Sequence, residues 1–199
     1  MAAHPAARVR TLAELHAAIA GCRMCPRVTP PPILWAREGQ RALIVGQAPG
    51  ITEPVRRLPF AGAAGRKLVT WLAPLGITDH EQMLERFAFA AVAKCYPGRL
   101  PGGRGDRAPD RGERERCLPW TEALVRLCDP TVVVPVGRLA IDDWLGRAPL
   151  SEVVGRRFER DGRVIVPLPH PSGASSWLND AGNRLLVEHA VAQLRDTLP

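Results

Sequence analysis

The sequence lacks any apolar run of the roughly 18–20 residues that a bilayer-spanning helix needs. It also lacks a continuous apolar stretch leading to a small-residue cleavage site at the N-terminus. The opening MAAHPAARVRTLAELHAAIAG reads instead as a short tail entering an amphipathic helix. These absences argue against membrane and secreted classes and make the cytoplasm the expected location. Lysine is nearly missing: Lys67 and Lys94 are the two lysines among 27 basic residues. There are no internal repeats, and low complexity is confined to one loop.

What is present is arginine, and with it a net charge of +7. Guanidinium pairs with phosphate in a bidentate geometry, so the surplus suits polyanion recognition. Genomic base composition explains the Arg/Lys ratio equally well, but it does not remove the positive field. A chain of 199 residues fits one domain, 1–199, with a sizeable core, and is expected to be a monomer.

Four short apolar runs read as buried strands: 42–45, 88–93, 131–136 and 164–168. Each is rich in Val, Ile or Ala and bounded by Gly, Pro or charge. Helical patterns lie at 11–20, 65–75, 113–127 and 181–198. Strand and helix alternate, which implies an α/β fold with a parallel sheet covered on both faces. A site on such a sheet lies beyond the carboxyl ends of the strands. The segments to search are therefore GQAPG (46–50), AKCYPGR (93–99), VGRLA (136–140) and PHPSGASSW (169–177). Residues 97–112 hold five Gly, three Pro and four Arg, a flexible basic loop by composition. If it belongs to a nucleic-acid footprint, neutralising Arg99, Arg104, Arg107 and Arg111 flattens the salt dependence of binding. Its plainer reading is a solvated insertion.

Five cysteines in a cytosolic chain suggest metal ligands rather than disulfides. Cys22 and Cys25 form a C-x-x-C that closes a helix and runs into a Pro-rich stretch, which disfavours a thioredoxin-like redox role. Cys95 follows the second strand and Cys117 lies within the next helix. Four thiolates suit either zinc or a [4Fe–4S] cluster, and spacing does not separate them. Four unligated buried cysteines are the bland alternative. Cys128 reads as a small core residue.

At the first strand end, Gly46 and Ala48 let backbone approach a ligand closely, and Pro49 stiffens the turn. Phe60, in a Gly/Ala-lined turn, is either a stacking platform for a planar base or a core anchor. His170, followed by small hydroxyl residues, is placed to donate to a developing anion and to phosphates, although a strand-end His is often structural.

These features, in this order, resemble the iron–sulfur uracil-DNA glycosylases, families 4 and 5 of the uracil-DNA glycosylase superfamily. The matching residues are Cys22/Cys25, Gly46–Gly50, Pro59–Gly62, Lys94-Cys95, Cys117 and His170–Ser172, spanning nearly the whole chain. The resemblance implies a three-layer α/β/α sandwich with a four-stranded parallel sheet, and a [4Fe–4S] cluster on Cys22, Cys25, Cys95 and Cys117. It implies DNA as the partner, base flipping, and hydrolysis of the N-glycosidic bond of uracil or a related deaminated base. By the same resemblance Phe60 stacks on the base beside Gly46 and Ala48, and His170 stabilises charge on a base oxygen. Ser172, Ser175 and Ser176 contact phosphate, and Trp177 with Leu178 wedges into the gap left by the base. The departures are chemical. Gln47 stands where family 4 has Glu, Ala63 where family 5 has Asp, and Ala91 where family 4 has Asn. Either Glu53 supplies the missing charge, or Gln47 positions water and works with His170. Two other readings stay open: a noncatalytic, damage-recognising DNA-binding member, and a zinc-stabilised nucleic-acid-binding module.

Overall fold

A computed structural model of the chain describes residues 3–103, 105–172 and 176–198. Five strands form one sheet: β1 (Ala42–Gly46), β2 (Ala88–Ala91), β3 (Val132–Pro135), β4 (Phe158–Arg160) and β5 (Arg163–Ile165). Their spatial order is β2-β1-β3-β5-β4. The first four in that order run parallel, with Ile44 opposite both Phe89 and Val134, and Val133 opposite Ile165. Every residue of β1, β2 and β3 is buried, because helices cover both faces.

The strands alternate their side chains between two cores. On one face Leu43, Val45, Ala90 and Val133 meet α1 (Leu12–Ala20) and α5 (Arg111–Cys128) through Leu15, Ile19, Trp120 and Leu124. On the other, Ile44, Phe89, Val132 and Val134 meet α3 (Ala63–Leu72), α4 (His80–Arg86) and α8 (Ala181–Arg195) through Leu68, Leu72, Met83, Val187 and Leu194. Three shorter helices complete the layers: α2 (Glu53–Arg56), α6 (Arg138–Leu145) and α7 (Leu150–Val153). Among the described residues no helix is long and apolar enough to cross a membrane.

The three-layer α/β/α sandwich stands, with one correction: the sheet has a fifth strand, β4, antiparallel to β5. Asp161 and Gly162 join the two with φ of 50° and 72°, the left-handed pair whose twist matches that of a hairpin. β4 is largely exposed, so it lacks an apolar run. α5 starts ahead of the expected position because Asp110 and Glu113 cap each other. The Glu113 amide donates to Asp110 Oδ1 at 2.8 Å, and the Asp110 amide donates to Glu113 Oε2 at 2.9 Å.

Candidate active site

Beyond the carboxyl ends of β1, β2 and β3 lies a cavity of about 580 Å³, within the usual range for a small-ligand site. Gly46, Gln47, Ala48, Glu53, Phe60, His170 and Ser172 all line it. The turn that carries Phe60 is strained and tightly packed. Phe60 has φ of 51°, rare for a bulky residue. Its carbonyl oxygen lies 1.6 Å from where a Cβ on Gly65 would stand, so that position admits only glycine. His80 Nε2 donates to the Pro59 carbonyl at 2.8 Å and pins the turn from α4. The Phe60 ring then reaches back over the end of β1, 3.3 Å from where a Gly46 Cβ would be, and tilts against Phe89 with centroids 5.9 Å apart.

His170 is held in one tautomer. The Ser172 amide donates to its Nδ1 at 3.2 Å, and the Ser172 hydroxyl lies 2.8 Å from the same nitrogen. An amide only donates, so Nδ1 accepts and the ring proton resides on Nε2. Burial pushes the His170 pKa down, which keeps the ring neutral. Gly137, at φ 88°, passes behind it; a Cβ there would stand 3.2 Å from the ring.

Glu53 opens α2 and is 8 % exposed. Burial is the main cause that raises its pKa, and nearby Asp106 adds to it. The Glu53 and Gly50 amides and His80 pull the other way. Lining residues to which the sequence alone assigned no role include Asp106 of the basic loop, Arg138 and Ile33. Arg138 had a signal, since it follows Gly137 in a strand-end segment. Asp106 is an acid in a run read only for its arginines.

Ser176 and Trp177, also expected to contact DNA, do not line the cavity. Ser176 is exposed in a short 3-10 turn (Ser176–Asn179), and Trp177 packs partly against the core. Ser175 and Arg104 lie outside the described residues. Arg107 is already committed: it donates to both carboxylate oxygens of Glu113, at 2.8 and 2.6 Å, and to the Arg27 carbonyl at 3.0 Å. It is therefore a brace for the loop rather than a free phosphate ligand.

The four cysteines meet on the other side of the segment after β2. Cys22, Cys25, Cys95 and Cys117 wall one cavity of about 30 Å³, together with Lys94 and Trp120. Among the described residues no group of three or more His, Cys, Asp or Glu side chains is placed to hold a metal ion. Burial, then the neighbouring Cys117, Cys22 and Cys25, push Cys95 up to about 12. Thiols crowded in this way stay protonated unless a cationic centre compensates them. Two donors are in place around them. The Lys94 amide donates to Cys117 Sγ at 3.4 Å and Arg116 Nε to Cys25 Sγ at 3.5 Å. Trp120 Nε1, buried, has no acceptor among the described residues. The Lys94 ammonium is fully buried and donates to the Cys117 carbonyl at 2.9 Å and to the Thr121 hydroxyl.

The chain belongs to the uracil DNA glycosylase superfamily: residues 36–195 match that family. It is a divergent, Type-4-like member. It is 31% identical over 156 residues to the Type-4 uracil-DNA glycosylase of Pyrobaculum aerophilum, covering 77% of this chain and 71% of that one. The Type-4 uracil-DNA glycosylase of Sulfurisphaera tokodaii is 24% identical over 163 residues, covering 77% and 68%. A DNA polymerase of Bacillus phage SP01 is 27% identical over 135 residues, which are 66% of this chain and 13% of the polymerase.

Proposed function

We propose that this chain is a monofunctional DNA glycosylase that flips uracil or a related deaminated base out of DNA and hydrolyses its N-glycosidic bond. The observation that carries the reading is the cavity at the strand ends. There a strained Phe60, a neutral His170 and the buried Glu53 line one cavity. Phe60 stacks on the base against Gly46 and Ala48, where small residues allow close approach. His170 Nε2–H donates to a base oxygen as negative charge develops there, a preorganised donor that needs no proton transfer. The C1′–N1 bond breaks with its electron pair leaving on the base, and a water oxygen bonds to C1′. Gln47 orients that water, Glu53 accepts its proton, and the proton returns to the departing base. Ser172, with Ser175, Ser176 and Trp177, holds the DNA strand beside the cavity. The protein acts as a monomer in the cytoplasm.

The four cysteines are proposed to hold a [4Fe–4S] cluster, in keeping with four crowded thiols, the unpaired indole N–H and the buried ammonium around one cavity. When bound, the cluster supplies a crosslink between the N-terminal hook and the two ends of the basic loop. Purified protein is expected to be brown and to contain acid-labile sulfide. A colourless, iron-free protein of full stability overturns the cluster.

Excision is tested on single- and double-stranded oligonucleotides carrying uracil, hypoxanthine or xanthine. Wild-type protein is expected to release at least one of these bases, and His170→Ala to slow release by roughly 10²–10³-fold, the usual effect of losing one oxyanion donor. The second reading, a noncatalytic damage-recognising member, is favoured by Gln47 and Ala63, which leave both family carboxylate positions neutral. Selective binding to damaged DNA with no base released from any substrate decides for that reading.

A further inference from the structure

The loop 97–112 brings a second carboxylate to the cavity. Its backbone folds back on itself: the Leu100 amide donates to the Gly105 carbonyl at 3.0 Å and the Arg107 amide to the Gly98 carbonyl at 2.9 Å. Arg99 and Asp106 pair across this turn. Past it, Arg107 locks the loop to the buried Glu113 and to the Arg27 backbone. Asp106 is thereby held at the cavity wall, and the Tyr96 hydroxyl donates to its Oδ1 at 2.9 Å. Its other oxygen faces Gly50. A Cβ on Gly50 would stand 3.4 Å from Asp106 Oδ2 and 3.1 Å from Glu53 Oε2, so the two carboxyl groups look onto the same methyl-sized space.

We propose that Asp106 is a positioning residue for catalysis: fixed by Tyr96, it stands beside Glu53 as a like charge and makes Glu53 the stronger base toward the attacking water. The inference rests on the glycosylase reading above and extends it to a residue from a different segment of the chain. Two carboxyls in one site hold protons with unequal affinity, and the unequal pair divides the acid and base roles. Asp106 sits in the more exposed position, while burial already raises the pKa of Glu53. His80 from α4 also acts on Glu53, and Arg107 from the loop, Arg138 from α6 and His170 beyond β5 line the same cavity. Arg107 is already paired with Glu113 and Arg138 with Asp142, and Asp106 is the acid whose charge raises Glu53. Gln47 and Ala63 make such a device useful, since the base has to come from elsewhere.

The test follows the Glu53 carboxyl carbon by NMR through a pH titration, assigned with Glu53→Gln, alongside the pH profile of base release. Asp106→Asn keeps an acceptor for Tyr96 but removes the charge. It is expected to lower the Glu53 midpoint by a few tenths to about one pH unit, and to carry the acid limb of the rate profile to lower pH by the same amount. Tyr96→Phe is expected to shift both in the same sense by less, and Asp106→Glu to restore them. An unmoved Glu53 midpoint in Asp106→Asn overturns the proposal, as does a moved midpoint with an unmoved rate profile. If the wild-type protein releases no base at all, the glycosylase reading fails by itself, and the titration still reports whether Asp106 and Glu53 are coupled.

Discussion

Arg107 shows how much a single side chain holds in this protein. It is the counter-ion of Glu113, whose side chain is 2% exposed, and it ties the loop to the segment after Cys25. Its hydrogen bonds hold the Glu113 carboxyl below the usual carboxylate range. The stability this provides is present above the ordinary carboxylate pKa and is lost as pH falls through the lowered value. Arg107→Ala leaves a buried carboxylate unpaired and is expected to remove about 2 kcal/mol at neutral pH. Urea denaturation checks this, and the difference from wild type is expected to shrink in acid. His170 makes the opposite kind of prediction. Because burial lowers its pKa, the neutral ring persists through the neutral range. Once protonated, its Nδ1–H points at the Ser172 amide and the arrangement breaks. Base release is expected to be level on the His170 account from neutral pH upward and to fall in acid below the ordinary histidine range. His170→Asn is expected to abolish that component of the pH profile.

At the scale of elements, legibility followed burial. The runs at 42–45 and 131–136 became β1 and β3 because both faces are covered, and continuous Val and Ile announce that condition. The strand-end motifs were legible for the same reason: once the strands are placed, Gly46, Phe60 and His170 must lie at one edge. Elements with weak apolar content stayed hidden. β4 is exposed, and its only mark was the Asp161-Gly162 turn, a hairpin signal that went unread between two charged segments. Gly162→Ala, at φ 72°, is expected to weaken this hairpin by about 1 kcal/mol, read as a lowered unfolding midpoint. The loop 97–112 was legible in composition and opaque in contacts. Its arginines drew the eye, but the residues that lock it, Tyr96, Glu113 and the Arg27 carbonyl, lie outside it in sequence. Only tertiary structure brings them together.

The whole molecule carries +7, and its DNA affinity is expected to fall steeply with salt. Among the described residues the exposed Arg99 and Arg111 are the loop cations left to contribute. The double variant Arg99→Gln/Arg111→Gln is expected to reduce the slope of log K against log salt by about 1–2, measured by fluorescence anisotropy on DNA at several salt concentrations. An unchanged slope returns the loop to a role in the cavity alone.

The cysteine cavity also sets a timetable. Cys22 and Cys25 leave the ribosome early, and Cys117 follows more than ninety residues later, an interval of roughly 5–20 s at ordinary rates of synthesis. Until Cys95 and its neighbours follow, roughly seventy residues after Cys25, the hook cannot dock, because the Thr29 amide pairs with Tyr96 and the Ile33 amide with Lys94. The hook thus closes only after segments made well after it. On the proposed cluster, cells starved of iron are expected to accumulate chains with an open hook, exposed to proteases near residues 22–33.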